Sequence, residues 1–273
     1  METVTACPIC HTDQMTPLIA IDRWTIAECR ICQLGMLSPR PDAAELSDLY
    51  QETYFDRVSL GQPATQAVVE RRVRESRKRV TLVRSYLRRG RLLDVGCATG
   101  YFLEAARRAG FSVAGIEHSG WAVEEANRLF GVNARAGELS DLIGRDERYD
   151  GVTMWHVLEH TRDPKESLHA VKTLLKKGGV VFIELPNYLS VDARREGVAW
   201  SGWDVPYHLW HFTPASLSRL LTLCGFRVLR IKRHPSSAMR NHFRSIPWLW
   251  PFRNLLCLFY SGRDFTIVAT PSP

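Results

Sequence analysis

The sequence predicts an α/β fold, a parallel sheet with helices on both faces, preceded by a small metal-stapled ribbon. Two observations predict it. From residue 91 onward, short apolar segments alternate with amphipathic ones at the spacing of βαβ units, whose sheet is covered on both sides. Before residue 37, CPIC and CRIC place two Cys-x-x-Cys pairs with eighteen residues between them. A chain of 273 residues, 45% hydrophobic and 24% charged, has the composition of a soluble globular protein with room for one such domain and a small appendage.

The ribbon comes first. Cys7, Cys10, Cys29 and Cys32 have zinc-ribbon spacing, each turn aiming two thiolates at one tetrahedral ion. Four protein ligands leave no open position, so the expected zinc is structural, holding residues 1–37, a segment too small to own a core. Disulfides are the alternative, disfavoured by a start, METVTACPIC, without a basic or apolar leader. The same start, with no run of eighteen apolar residues, sets the expectation of a cytoplasmic protein. Cys97, Cys224 and Cys257 are scattered and read as small apolar fillers.

Residues 38–90 read as a linker and helical cap. SPRPDAAELSDLYQETYF predicts a Pro-marked linker and a short helix ending in Tyr50, Tyr54 and Phe55. Residues 70–91 then hold ten Lys/Arg against two Glu, more than the chain's net +7. Val69, Val73, Val80, Val83 and Leu87 form one apolar stripe, so this is a helix with a solvated arginine face, and phosphate tracking is the rival reading.

The predicted domain proper covers residues 91–273. Its strands are RLLDVG, FSVAGIE, VNARA, YDGVTMW and GVVFIEL, with helices starting near Tyr101, Trp121, Glu138 and Pro164. TPASLSRLLTLCG predicts another helix, and FRVLRIKR and DFTIVAT the last two strands, seven in all. Between those two, FRSIPWLWPFRNLLCLFY (243–260) is crowded with aromatics and broken by prolines. It reads as a lid or buried insertion, with membrane-surface contact as the alternative.

LLDVGCATGYF carries the clearest chemistry. A strand ends at Asp94 and a D-x-G-x-x-x-G turn opens a helix, so the backbone at Gly96 and Gly100 approaches a ligand at the sheet's carboxyl edge. It is neither GxGxxG nor a phosphate-gripping loop. Glu117 closes the next strand, 23 residues after Asp94, where an acid accepts hydrogen bonds from ribose hydroxyls. This pairing resembles the class I S-adenosylmethionine-dependent methyltransferases, of Rossmann-like seven-stranded fold. YDGVTMWHVLEHTRDP, LKKGGVVFIELPN and PYHLWHFTPASLSRLLTLCGFRV resemble segments of their small-molecule, ubiquinone- and sugar-methylating subfamily. The resemblance implies S-adenosylmethionine as cofactor. Asp94 would lie by its amino-acid end, Gly96, Cys97, Thr99, Gly100 and the strand-end Trp155 along it, and Glu117 at its ribose. With the ribbon in front, it also implies an acceptor from sugar or polysaccharide modification.

Methyl transfer to oxygen needs a base, and histidine is the usual one. His208, in PYHLWHF, is the first expectation, with His211, Tyr207 and His156 behind it. The preceding Gly- and Trp-rich loop would enclose an acceptor, with Trp200, Trp203 and Trp210 stacking on it. His156, Glu159 and His160 sit at i, i+3, i+4, on one face of a helical turn. In quinone-methylating relatives such a cluster binds a divalent metal, with Glu at the place of His156.

Three functions are therefore expected, in order: a small-molecule O-methyltransferase (C-methylation second) acting on a sugar, nucleotide sugar or glycan; an RNA methyltransferase docked by the ribbon and basic helix; an inactive cofactor-binding module. Nucleic acid is disfavoured. The residues after strand four are WHVLEH, not the Asn/Asp-Pro-Pro-Tyr of base-amine methylation, and no cysteine falls where pyrimidine C5 methylation needs one. Oligomeric state is not legible.

Overall fold

The N-terminal ribbon forms as a meander of β1 (Met15–Ile21), β2 (Trp24–Cys29) and β3 (Gly35–Leu37), all antiparallel. In this computed structural model, residues 1–42, 45, 65–246, 248 and 250–273 are described. The expected Tyr50–Phe55 cluster lies outside them. They group into two compact units interleaved in sequence. One comprises Met1–Asp42, Leu158–Lys165 and Ile183–Ala269, the other Ala43–Val157, Glu166–Phe182 and Thr270–Pro273.

The second unit begins with the basic helix α1 (Gln66–Arg84), capped by Thr65, whose hydroxyl accepts from the Val68 amide. Val69, Val73, Val80 and Val83 are buried, as the stripe predicts, and Leu82 joins them. β4 (Arg91–Val95), α2 (Tyr101–Arg108), β5 (Ser112–Glu117), α3 (Gly120–Phe130), β6 (Asn133–Ala136) and β7 (Tyr149–Trp155) follow. β4 pairs in parallel with β5 and β7, and β5 with β6. Arg108 ties α1 to α2, its guanidinium donating to both oxygens of Glu70 (2.9 and 3.0 Å) and to Glu104 (2.6 Å). The helix expected near Glu138 is a single 3-10 turn, Leu139–Leu142. DLIG supplies too few residues before the Gly144 break to propagate a helix.

α4 (Pro164–Leu174) leads into β8 (Leu175–Pro186); α5 (Val191–Glu196), β9 (Trp210–His211), α6 (Pro214–Leu223), β10 (Phe226–Pro235), α7 (Ser237–Arg244) and β11 (Ser261–Pro271) complete the chain. The large sheet has seven strands in the order β10-β11-β8-β7-β4-β5-β6, matching the expected count. α6 has a capping box, Thr213 and Ser216 each accepting the other's amide, with Pro214 opening the first turn.

The ribbon continues into a sheet that the sequence did not announce. β3 pairs antiparallel with β9, Gly35 against His211 and Met36 against Trp210, giving the order β1-β2-β3-β9. Three further contacts within this unit fasten it. Tyr188 donates to Glu28 (2.6 Å) and to the Gln33 carbonyl (2.8 Å), Arg162 pairs with Glu2 (2.6 Å), and Arg40 stacks over the Trp210 ring.

Residues 243–260 do lie between the last two strands, but a buried insertion they are not. Among the described side chains, Trp248 is 74% exposed and Phe259 80%. The prolines and short turns around residues 250–259 leave no continuous helix whose apolar face could close on a core.

Candidate functional site

The turn after β4 is shaped by two close approaches. Gly96 has φ +65° and a Cβ there would lie 2.6 Å from Val157 Cγ2; Gly100 has φ +80° and a Cβ would lie 2.9 Å from Ala126 Cβ. Between them Ala98 also takes a positive φ, +45°. Gly100 is the N-cap of α2 but offers no side chain to its amides.

Two carboxylates flank this turn. Asp94 is 2% exposed and accepts a 2.6 Å hydrogen bond from the Thr153 hydroxyl, on the paired strand β7. Burial pushes its carboxyl up to about 7, against the Thr153 bond and the Arg79 charge, which pull it down. Glu117 reaches back from the end of β5. The Ala98 amide donates to its Oε2 (3.0 Å) and the Ser119 amide to its Oε1 (3.1 Å), leaving lone pairs on both oxygens for a diol. Two buried polar atoms nearby in sequence, Thr99 Oγ1 and Trp155 Nε1, have no hydrogen-bond partner among the described residues. Native interiors rarely leave such atoms unsatisfied, so both fit a site completed by a polar ligand. Trp155 is otherwise fixed, edge-on to Phe102 (5.3 Å) and beneath Arg79 (5.1 Å). The expected Cys97 differs: its side chain packs in the apolar cluster of Leu103, Val123, Ala126 and Val132, so only its backbone lines the turn.

The histidines gather in the other unit. Ligand atoms of Glu159, His160 and His208 lie within 4.8 Å of one another. Nδ1 of His208 is 2.9 Å from the Gly202 carbonyl, so it carries the proton, and Nε2, 3.8 Å from the Asp204 carboxylate, is the basic atom. His160 packs edge-on against the His208 ring (4.6 Å), its Nδ1 3.0 Å from the carbonyl of Tyr207. Burial, then the His208 charge, pulls His160 down to about 4, and burial holds His211 well below its usual range. His211 is thus a neutral ring within β9, its Nε2 without a partner among the described residues. His156 has φ +59° and lies outside the 3-10 turn Leu158–His160, so the expected shared helical face does not form. Trp200, Trp203 and Trp210 are 2%, 6% and 3% exposed. Rather than presenting stacking faces they brace the loop, Trp203 donating to the Gly197 carbonyl and Trp210 to the Thr161 carbonyl.

The four ribbon cysteines bring their sulfurs within 4.8 Å of one another, three of them buried. Cys7 and Cys32 sulfurs are 3.5 Å apart, near the edge of about 3.8 Å for a tetrahedron with Zn–S of about 2.3 Å. The Cys32 thiol donating to it pulls Cys7 down to about 5, while Cys32 is itself pushed up. The donor set fits a metal ion.

A glycine turn, an acid closing β4 and an acid closing β5, on a parallel sheet of this order, define a nucleotide-binding α/β fold of the class I methyltransferase type. A methyltransferase domain model matches residues 67–231, and the chain belongs to that family. It is 34% identical over 171 residues to a ubiquinone biosynthesis O-methyltransferase of Aeromonas salmonicida, covering 56% of this chain and 70% of that one. To the protein of that name from Alkalilimnicola ehrlichii it is 38% identical over 104 residues, 36% of this chain and 42% of the relative. Several such alignments span less than half the relative's length. Among solved structures, a 1,6-didemethyltoxoflavin-N1-methyltransferase from Burkholderia thailandensis, with bound S-adenosylhomocysteine, superposes over 94% of this chain and 99% of its own. The TM-score is 0.58 at 17% identity. A magnesium protoporphyrin IX methyltransferase from Synechocystis matches with TM-score 0.57, 17% identity, and 85% and 100% coverage. These likenesses show the fold.

Sequence reasoning missed Thr153, Arg79, Asp204 and the Ser119 amide. Only Ser119, two residues beyond Glu117, carries a local signal; the others arrive by strand pairing, helix docking and loop geometry.

Proposed function

We propose that this protein is an S-adenosylmethionine-dependent methyltransferase acting on the hydroxyl of a small molecule, with a structural zinc in its ribbon. The observation that supports it most is Glu117, its two oxygens each fixed by a backbone amide and each retaining a lone pair at the edge of the glycine turn. In this reading Glu117 accepts from the cofactor's ribose hydroxyls, Asp94 faces its ammonium, and Thr99 and Trp155 take polar atoms of the bound molecule. The sulfonium supplies an activated methyl group, so the chain need only position the acceptor and take its proton. We assign that proton to Nε2 of His208, with Asp204 stabilising the charge it acquires.

The names of the curated relatives favour oxygen as the acceptor atom and an acceptor from ubiquinone biosynthesis. They lend nothing to a sugar, nucleotide sugar or polysaccharide, which stands on the sequence resemblance alone. The names of those relatives lend nothing to the RNA-methylating or inactive readings either.

Titration calorimetry with S-adenosylmethionine tests the cofactor half. Glu117→Ala is expected to weaken binding by roughly 100-fold, two charge-assisted hydrogen bonds' worth; unchanged affinity would remove Glu117 from the ribose. Turnover assays with catechol-type quinone precursors and with nucleotide sugars test the acceptor half. His208→Ala should bind cofactor like the parent and lose about 100- to 10,000-fold in kcat on whichever acceptor is used. Retained turnover removes His208 from the base's role.

A further inference from the structure

From residue 226 to 260 the chain carries seven Lys/Arg and not one Asp or Glu. Within it, residues 237–260 hold six of the fifteen large hydrophobic side chains that stand exposed among the described residues: Trp248, Phe252, Leu255, Leu258, Phe259 and Tyr260. Nothing in the candidate cofactor site or the histidine cluster uses either feature.

Asp192, buried in α5, anchors both ends of the excursion: it accepts from the hydroxyl of Ser236 and the amide of Ala238 at the start of α7, and from the Arg263 amide (3.1 Å) where β11 begins. α7 turns Met239 and Phe243 inward, and Phe243 packs against the Tyr260 ring (5.8 Å). Arg240 and Arg244 are exposed on the same helix, and neither forms an ion pair among the described residues. Edge-strand protection accounts for cations on β10, which lies at the sheet's end. It does not account for those of α7, nor for aromatic side chains left in water.

We propose that residues 237–260 are a peripheral membrane-docking surface, which inserts Trp248, Phe252, Leu255, Leu258 and Phe259 into the interface of an anionic bilayer while Arg240 and Arg244 meet its headgroups. Exposed Trp, Phe and Leu beside uncompensated arginines is the composition of segments that lie in a membrane interface. Among the described residues no helix is long and apolar enough to cross a membrane, so the contact is with one leaflet. A second copy of the chain is the competing occupant. A two-fold interface through this patch would set an all-positive surface against itself with no acid to relieve it, whereas an anionic leaflet supplies the opposite charge.

Flotation of the full chain with vesicles tests this. The protein is expected to float with phosphatidylcholine vesicles containing about 30% phosphatidylglycerol, to stay behind with phosphatidylcholine alone, and to detach as salt rises. Arg240→Gln with Arg244→Gln should weaken partition by about 30-fold, roughly fivefold per cation. Trp248→Glu with Phe259→Glu should abolish it while the circular dichroism spectrum stays that of the parent. The proposal is overturned if the parent fails to float with anionic vesicles, or if the aromatic variant floats equally well. It is also overturned if the parent is a dimer that the aromatic substitutions dissociate and neither form binds vesicles.

Discussion

Stripping the proposed ribbon zinc, or replacing one of its candidate ligands as in Cys29→Ser, is expected to disorder far more than the ribbon. Metal analysis of the purified protein should give one zinc per chain, and none for the variant. A structural zinc site is worth on the order of 10–16 kcal/mol of apparent binding free energy, and that energy is folding energy for a segment with little core of its own. Residues 1–37 should therefore lose their strands. The less obvious consequence comes from pairing: β3 is hydrogen-bonded to β9, so loss of Gly35 and Met36 strips His211 and Trp210 of their only sheet neighbour among the described residues. Tyr188, held by Glu28 and the Gln33 carbonyl, is released as well. Hydrogen exchange read by mass spectrometry should show protection lost at residues 15–37 and, with it, at 207–212. If the ribbon opens while 207–212 keeps its protection, the metal merely staples the ribbon and does not support the histidine loop.

How much of this was legible in the sequence follows from the range of each interaction. All seven strands of the large sheet and the valine stripe of α1 rest on local periodicity, and they stand within a few residues of where it places them. The turn of residues 94–100 and Glu117 were legible because a fixed strand-turn-helix geometry needs glycine and an acid at set spacings. The four-stranded sheet was not, because pairing Gly35 with His211 closes a loop of the whole intervening domain and leaves no periodic trace. The tryptophans misled for a related reason. Their clustering in sequence suggests a stacking platform, but whether an indole faces an acceptor or a carbonyl depends on backbone turns around Gly197, Gly202 and Asp204. Residues 243–260 misled in the opposite direction: apolar composition argues for burial, whereas Trp248 and Phe259 stand in solvent.

Asp94 should make the ligand-free protein less stable as pH rises, and its removal should reverse that while damaging cofactor binding. Its carboxyl stands at about 7 in the folded protein against 3.8 for an ordinary aspartate, because burial penalises the charged form. Between these values the folded state binds the proton and the unfolded state does not. Its contribution is therefore intact below about pH 4 and declines as pH rises through about 7. Each pKa unit is worth about 1.4 kcal/mol, so the full penalty by pH 8 is on the order of 4 kcal/mol, or roughly 10 °C in Tm for a domain of this size. Thermal melts of the parent and of Asp94→Asn from pH 5 to pH 8 should diverge by the part of that penalty that falls above pH 5, about 3 kcal/mol or roughly 7 °C, the variant being the more stable at the alkaline end. Added S-adenosylmethionine should close the gap, since an ammonium beside the carboxylate compensates its charge. The Tm rise on binding should accordingly grow with pH in the parent and be small in Asp94→Asn. Parallel pH slopes in the two apo proteins would show that Asp94 is not the group being titrated. Divergent slopes with equal cofactor shifts would show that it is buried for a reason other than the ammonium. The expected pattern is that of a residue kept at a cost to folding because the ligand, and not the protein, supplies its counter-charge.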